Sequence, residues 1–135
     1  MTMEPAIAVV GTFDSKAEEH FFLKQSIEQR GMRSLTVNVG TRGPSPSRVS
    51  IDFFELMQKS EKFDFDSRDK AIAAMISVAR KKIHQLYQEG KIGGIISAGG
   101  GTGTHICTSI MRMLPMGAPK VMVSTVASRD MTQTV

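Results

Sequence analysis

Short, unbroken apolar runs alternate with stretches of helical periodicity along this 135-residue chain. Ala6 to Val10 is continuous and closed by Gly11, as expected of a strand covered on both faces. Ser15-Lys16-Ala17-Glu18 has the Ser-x-x-Glu spacing of a capping box, and Gly31 stands where a left-handed terminator is wanted. Together they predict a helix from Ser15 to Arg30 with Ala17, Phe21, Leu23 and Ile27 turned inward. Leu35 to Val39 predicts a second strand ending at Gly40, and the glycines and prolines of Thr41 to Ser47 predict a long surface loop. Ile51 to Gln58 predicts a short helix, and Lys59 to Ser67 is polar with Phe63 and Phe65 as anchors. Ser67 then caps a helix from Arg68 to about Glu89, ended by Gly90, whose apolar positions recur every three or four residues. Gly94 to Ala98 gives a third strand. The run Gly99 to Gly103 turns the chain, Thr104 to Met113 forms a helix stopped by Pro115, and Lys120 to Ser124 is a fourth strand.

This alternation predicts an α/β fold: a Rossmann-like or flavodoxin-like parallel sheet of order 2-1-3-4, with helices on both faces because each crossover is right-handed. In such sheets ligands bind at the carboxyl ends of the strands where the order reverses. The loops at that point are Gly11 to Lys16 and Gly99 to Gly103.

Composition narrows the classes. At 135 residues the chain is one domain with one core, too short for a two-domain enzyme. A hydrophobic fraction of 41% is ordinary for a globular protein. No apolar run approaches the roughly 20 residues that span a bilayer, and the N-terminus lacks signal-peptide features, so a cytoplasmic location is expected. A lone cysteine, Cys107, and three scattered histidines give no zinc spacing, so no metal site is assigned. The net charge of +4 divides into −2 for residues 1–66 and +6 for residues 67–135. Its densest run, Arg80-Lys81-Lys82, lies within a helical pattern and reads as a solvated face. Without interleaved aromatic side chains it offers no base-stacking platform, which argues against nucleic acid as a partner.

The strongest chemical signal is the glycine run. Gly99, Gly100, Gly101 and Gly103, with Thr102 between them, leave backbone N–H groups open beside a helix N-terminus, where an anion is favoured. A tight turn is the alternative reading. Thr102 and Thr104 add hydroxyls, and Thr104 is also a candidate helix cap. Neither the G-x-G-x-x-G fingerprint nor a Walker A loop fits, since Gly103 is followed by Thr104-His105 and no lysine. Lys16, from the other switch-point loop, can complement a phosphate. Asp14 is either a turn or cap residue or a contact to a ligand hydroxyl or magnesium, and Thr12 is either a turn hydroxyl or a ligand donor. After the fourth strand, Ser124, Thr125 and Ser128, followed by Arg129-Asp130, are more polar than a plain connection requires. His105 is either exposed or a phosphate or base contact. His20 and His84 read as structural helix residues, Cys107 as a small buried hydrophobe, and no residue order points to a catalytic triad, so the catalytic residues are unknown.

Three segments carry a family resemblance: Val10 to Lys16, Ile95 to Thr104, and Pro119 to Ser128 with its Ser-Thr-Val-Ala-Ser core. In that order, over essentially the whole chain, they resemble the ATP-binding domain family of the plant tomato mosaic virus resistance protein, whose microbial members are mostly uncharacterised. The resemblance implies a Rossmann-like lobe that binds ATP, with or without magnesium, and tends to self-associate. In the plant protein the target is a viral replication protein; no reaction is implied. Motif by motif it carries ATP contacts onto Gly11, Thr12, Asp14, Lys16, Gly99, Gly100, Gly101, Thr102, Gly103, Thr104, Ser124, Thr125 and Ser128. Arg129 stands where the family more often has glycine, and Asn38 where the second strand often has aspartate, which alters an implied ribose contact. Family members continue into a second lobe, so residues 1–135 are expected to be a single nucleotide-binding lobe forming the N-terminal part of a longer two-lobe protein. The open side of the fourth strand invites pairing with another chain or with that lobe.

The leading expectation is therefore a nucleotide-binding module whose ligand organises a homo-oligomer or domain interface. An ATP-dependent phosphotransferase or ligase, with Asp14 and Asp130 holding magnesium, is the enzymatic alternative. A basic nucleic-acid or protein-interaction domain is the third.

Overall fold

The computed structural model of the chain describes residues 4–60 and 67–124. Five strands form one sheet in which every pairing is parallel: β1 (Ala6–Gly11), β2 (Ser34–Asn38), β3 (Ile51–Asp52), β4 (Ile92–Gly99) and β5 (Lys120–Ser124), in the order β3-β2-β1-β4-β5. β1 is central because it is the most apolar run, with Ala8, Val9 and Val10 wholly excluded from solvent. Its Val9 pairs with Thr36 on one side and Ile96 on the other. The predicted order 2-1-3-4 is reproduced in β2-β1-β4-β5, and β3 adds an edge strand where only a helix was expected.

The helices are α1 (Ala17–Gln29), α2 (Phe53–Gln58), α3 (Arg68–Gln88) and α4 (Gly101–Met111). Alternate residues of β1 divide the core. Ala8 and Val10 join the main cluster with Ile72, Met75, Ala79 and Ile83 of α3, Ile106 and Ile110 of α4, and Phe53 and Met57 of α2. Val9 turns to the other face with Phe13 and Ile27, against which Ile7, Phe21 and Leu23 pack. Helices thus cover both faces, as right-handed crossovers require when strand order reverses. Gly31 and Gly90, at φ of 79° and 75°, follow α1 and α3 as predicted.

Local chemistry moves several boundaries. α1 begins at Ala17 and the expected Ser15 capping box does not form. Ser15 instead lies inside a tight turn: the N–H groups of Ser15 and Lys16 both donate to the Thr12 carbonyl, at 3.1 and 2.8 Å, and the Ser15 hydroxyl donates to Thr12 Oγ1 at 3.2 Å. Asp52 ends β3 by capping α2, accepting from Phe54 and Glu55 N–H. The glycine run is not a separate turn. Gly99 closes β4, Gly100 is the cap residue and Gly101 to Gly103 are the first turn of α4, so Thr104 is not the cap. Its hydroxyl instead meets Gly99 O at 3.4 Å and Ser124 Oγ at 2.7 Å, joining α4 to β4 and β5. α4 ends at Met111, two residues earlier than Met113.

Among the described residues β5 pairs with β4 alone. Met122 packs on the main core, whereas Val121 and Val123 are 50% and 55% exposed. No helix of the described residues is long and apolar enough to cross a membrane. Phe63 and Phe65, and in the last loop Thr125, Ser128, Arg129 and Asp130, lie outside the described residues.

Candidate functional site

A cleft of about 430 Å³ opens where the strand order reverses, beyond the carboxyl ends of β1, β2 and β4. Thr12, Asp14, Ser15 and Lys16 form one wall, Thr41 and Arg42 a second, and Gly100, Thr102 and Gly103 a third, with Arg68 and Ala71 of α3 beside it.

The first wall is held by His20. This side chain is completely buried on α1; its Nδ1 lies 2.6 Å from the Lys16 carbonyl, and Ala98 N–H donates to its Nε2 at 3.2 Å. A carbonyl on one side and an N–H on the other define a neutral ring protonated at Nδ1. Burial pushes its pKa below the ordinary value, favouring that neutral form. His20 therefore ties the start of α1 to the end of β4, the two elements that flank the cleft. Gly11 makes room for it: a Cβ there would sit 1.9 Å from His20 Nε2. Phe13 packs against the same ring, with centroids 5.0 Å apart and the planes tilted by 34°.

The second wall hangs on Asn38, which is also fully buried. Its Oδ1 accepts from Phe13 N–H at 3.0 Å and Gly40 N–H at 2.8 Å, while Nδ2 donates to Gly43 O and to Asp52 Oδ1, the latter at 3.0 Å. Asp52 in turn accepts from Ser45 N–H at 2.8 Å. All four hydrogen-bonding positions of the Asn38 amide are thus occupied by protein groups, none facing a ribose. This pair of side chains fixes a loop whose glycines and prolines preclude regular structure, and so places Thr41 and Arg42 in the cleft.

The third wall is the start of α4. Here the glycines have different reasons. A Cβ at Gly99 would stand 3.2 Å from the backbone of Gly103 and Thr104, and one at Gly103 would stand 3.3 Å from Thr12 Oγ1, so both glycines sit in tight packing. A Cβ at Gly101 would meet nothing within 4 Å. No contact among the described residues requires that glycine, and it leaves the start of α4 uncovered.

Among the described residues the cleft's charged lining is Lys16, Arg42 and Arg68 against a single carboxylate, Asp14. Asp14 Oδ2 accepts from Arg42 N–H at 3.0 Å, while Oδ1 is buried without a hydrogen-bond partner among the described residues. Arg68 donates to Thr102 Oγ1 at 2.6 Å. Beyond this bond lies a second, more open groove of about 540 Å³ between α3 and α4, floored by Ile72, Ala73 and Ile76 and bordered by His105. Among the described residues no group of acidic, histidine and cysteine side chains is arranged to hold a metal ion. Cys107 is buried, and desolvation pushes its thiol up to about 11, so it is protonated and unreactive at neutral pH.

Of the predicted contacts, Thr12, Asp14, Lys16, Gly100, Thr102 and Gly103 converge on the cleft, and Gly101 and His105 border the adjoining groove. Gly11, Gly99, Thr104 and Ser124 do not line either. Ser15, Thr41, Arg42, Arg68 and Ala71 also line the cleft and are not among the predicted contacts. Thr41 and Arg42 come from a loop without periodicity, and Arg68 reads in sequence only as the start of a helix.

A family model described as the N-terminal domain of UPF0261, an uncharacterised protein family, matches residues 5–135. A UPF0261 protein of Clostridium tetani is 37% identical over 95% of this chain and 33% of its own length. A Rhizobium meliloti relative is 39% identical over 92% of this chain and 31% of its own. The tomato ToMV susceptible protein tm-1(GCR26) is 30% identical over 92% of this chain and 19% of its own. The chain thus spans about a third of the bacterial relatives and about a fifth of the tomato protein.

Proposed function

The chain belongs to the UPF0261 family as its N-terminal domain, and from that membership and the cleft we propose that it is a cytoplasmic nucleotide-binding lobe whose ligand is ATP. The phosphates lie on the N-terminal turn of α4, and Lys16 neutralises them from the opposite wall. One observation carries this reading. At the switch point of a parallel sheet, a glycine-rich helix start and three cationic residues line one cleft, with a single carboxylate residue among the described residues. The α4 N–H groups and its positive end suit an anion. The resemblance set out above supplies ATP as the identity of that anion.

Magnesium, if it accompanies the nucleotide, fits at Asp14, whose buried Oδ1 has no hydrogen-bond partner among the described residues. That same oxygen supports the enzymatic alternative, a phosphoryl or ligase step, in which Asp14 holds the metal. The edge position of β5, which pairs with β4 alone among the described residues, and the exposed Val121 and Val123 support assembly with a further lobe or a second copy.

Calorimetric titration of the chain with ATP and magnesium, AMP and adenosine tests the binding reading. Saturable binding that tightens from adenosine to ATP is expected, and adenosine binding as tightly as ATP would refute phosphate recognition. Steady ADP release that Asp14→Ala abolishes would decide for the enzyme.

A further inference from the structure

We infer that Arg68 is a phosphate-reading residue of this cleft, which exchanges its bond to Thr102 for the terminal phosphates of the ligand. The inference rests on the nucleotide reading and adds to it a residue that no cleft motif contains. Arg68 is the first residue of α3, a position where the helix dipole disfavours a cation. Its guanidinium donates to Thr102, the second residue of α4, and so lies at a second positive helix end. The only carboxylate groups in ion pairs among the described residues are Glu28 and Glu89, bonded to Lys24 and Lys91, so neither neutralises Arg68. An exposed guanidinium held by one neutral hydroxyl between two helix N-termini has no carboxylate partner among the described residues, and it borders the cleft that Lys16 and the α4 N–H groups already make suitable for an anion.

The bond to Thr102 uses a single arm of the fork. A phosphate accepts two parallel N–H bonds from a guanidinium, so exchange for a phosphate oxygen gains both a contact and a charge. The position also determines what is recognised. Arg68 is the shared border of the cleft and the α3–α4 groove, so it faces an extended polyphosphate and not the sugar alone.

The test compares wild type, Arg68→Ala and Arg68→Lys by titration with ATP, AMP, adenosine and inorganic tripolyphosphate, after circular dichroism has established equal folding. Loss of one charge-assisted contact predicts about a 10- to 100-fold weaker ATP and tripolyphosphate affinity in Arg68→Ala. Adenosine affinity is expected within about twofold of wild type, and Arg68→Lys regains only part of the loss because it lacks the fork. Equal losses for ATP and adenosine, or none, would overturn the role given to Arg68 while leaving nucleotide binding intact. Wild type that binds tripolyphosphate through Arg68 but discriminates no nucleotide would refute the nucleotide reading and keep the anion site.

Discussion

Replacing Gly101 by alanine separates a glycine kept for folding from one kept for a ligand. Gly101 is the first residue of α4, has no positive φ, and leaves open space where a Cβ would project. In a helix interior alanine is favoured over glycine by about 0.8–1.0 kcal/mol, and somewhat less in the first turn. Gly101→Ala should therefore stabilise the chain by about 0.5–1 kcal/mol, raising Tm by roughly 2–4 °C for a protein of this size. Because the Cα–Cβ bond leans toward the helix N-terminus, the added methyl would stand over the N–H groups proposed to receive an anion. Displacing one such bond should weaken ATP by about 10-fold. Thermal unfolding and calorimetric titration of one variant read both quantities. Gly11→Ala provides the contrast: its Cβ would overlap the buried His20 ring, so destabilisation of at least about 2 kcal/mol is expected. A destabilised Gly101→Ala, or one that is stabilised and binds ATP unchanged, would refute the reasoning.

Three further outcomes follow from the same geometry. Asn38→Asp should cost about 2–4 kcal/mol at pH 7, because a second carboxylate would face Asp52 Oδ1 at 3.0 Å; the upper bound is the cost of keeping one carboxyl protonated. Denaturant unfolding should show this deficit shrinking toward pH 4, and a pH-independent deficit would contradict the repulsion. His20 has its folded pKa depressed by burial, so the unfolded chain takes up the proton first as pH falls below about 6.5. Stability is then lost through the window between the unfolded and folded values, at up to about 1.4 kcal/mol per pH unit, and His20→Gln should flatten that component in unfolding curves from pH 8 to 5. Lys16→Ala should weaken ATP more than adenosine in the same titration, and equal losses would remove lysine from the phosphate.

The central architecture was legible because a parallel sheet writes itself as continuous apolar runs: Ala6 to Val10 and the four-strand order could be read directly. Gly31 and Gly90 gave the ends of two helices for the same local reason, their left-handed φ. The two-residue β3 was not legible, since Ile51-Asp52 is too short for a period and its pairing with Val37-Asn38 is a tertiary fact. The Ser15 box failed because Thr12 competes for the same turn. In the site, motif residues from two loops were brought together as expected. His20 and Asn38, whose polar atoms meet partners as far as 78 and 25 positions away, looked like an unpartnered helix residue and an altered ribose contact. Arg68 was hidden for the same reason: its partner is 34 residues on.

The most direct test of phosphate recognition at the start of α4 is an amide chemical-shift titration of the chain with magnesium and ATP. The account predicts saturable shifts concentrated on the backbone N–H groups of Gly100 to Gly103 and the Thr12 to Lys16 loop, with adenosine leaving the glycine amides largely unmoved. Saturable ATP-induced shifts that spare both loops would contradict it.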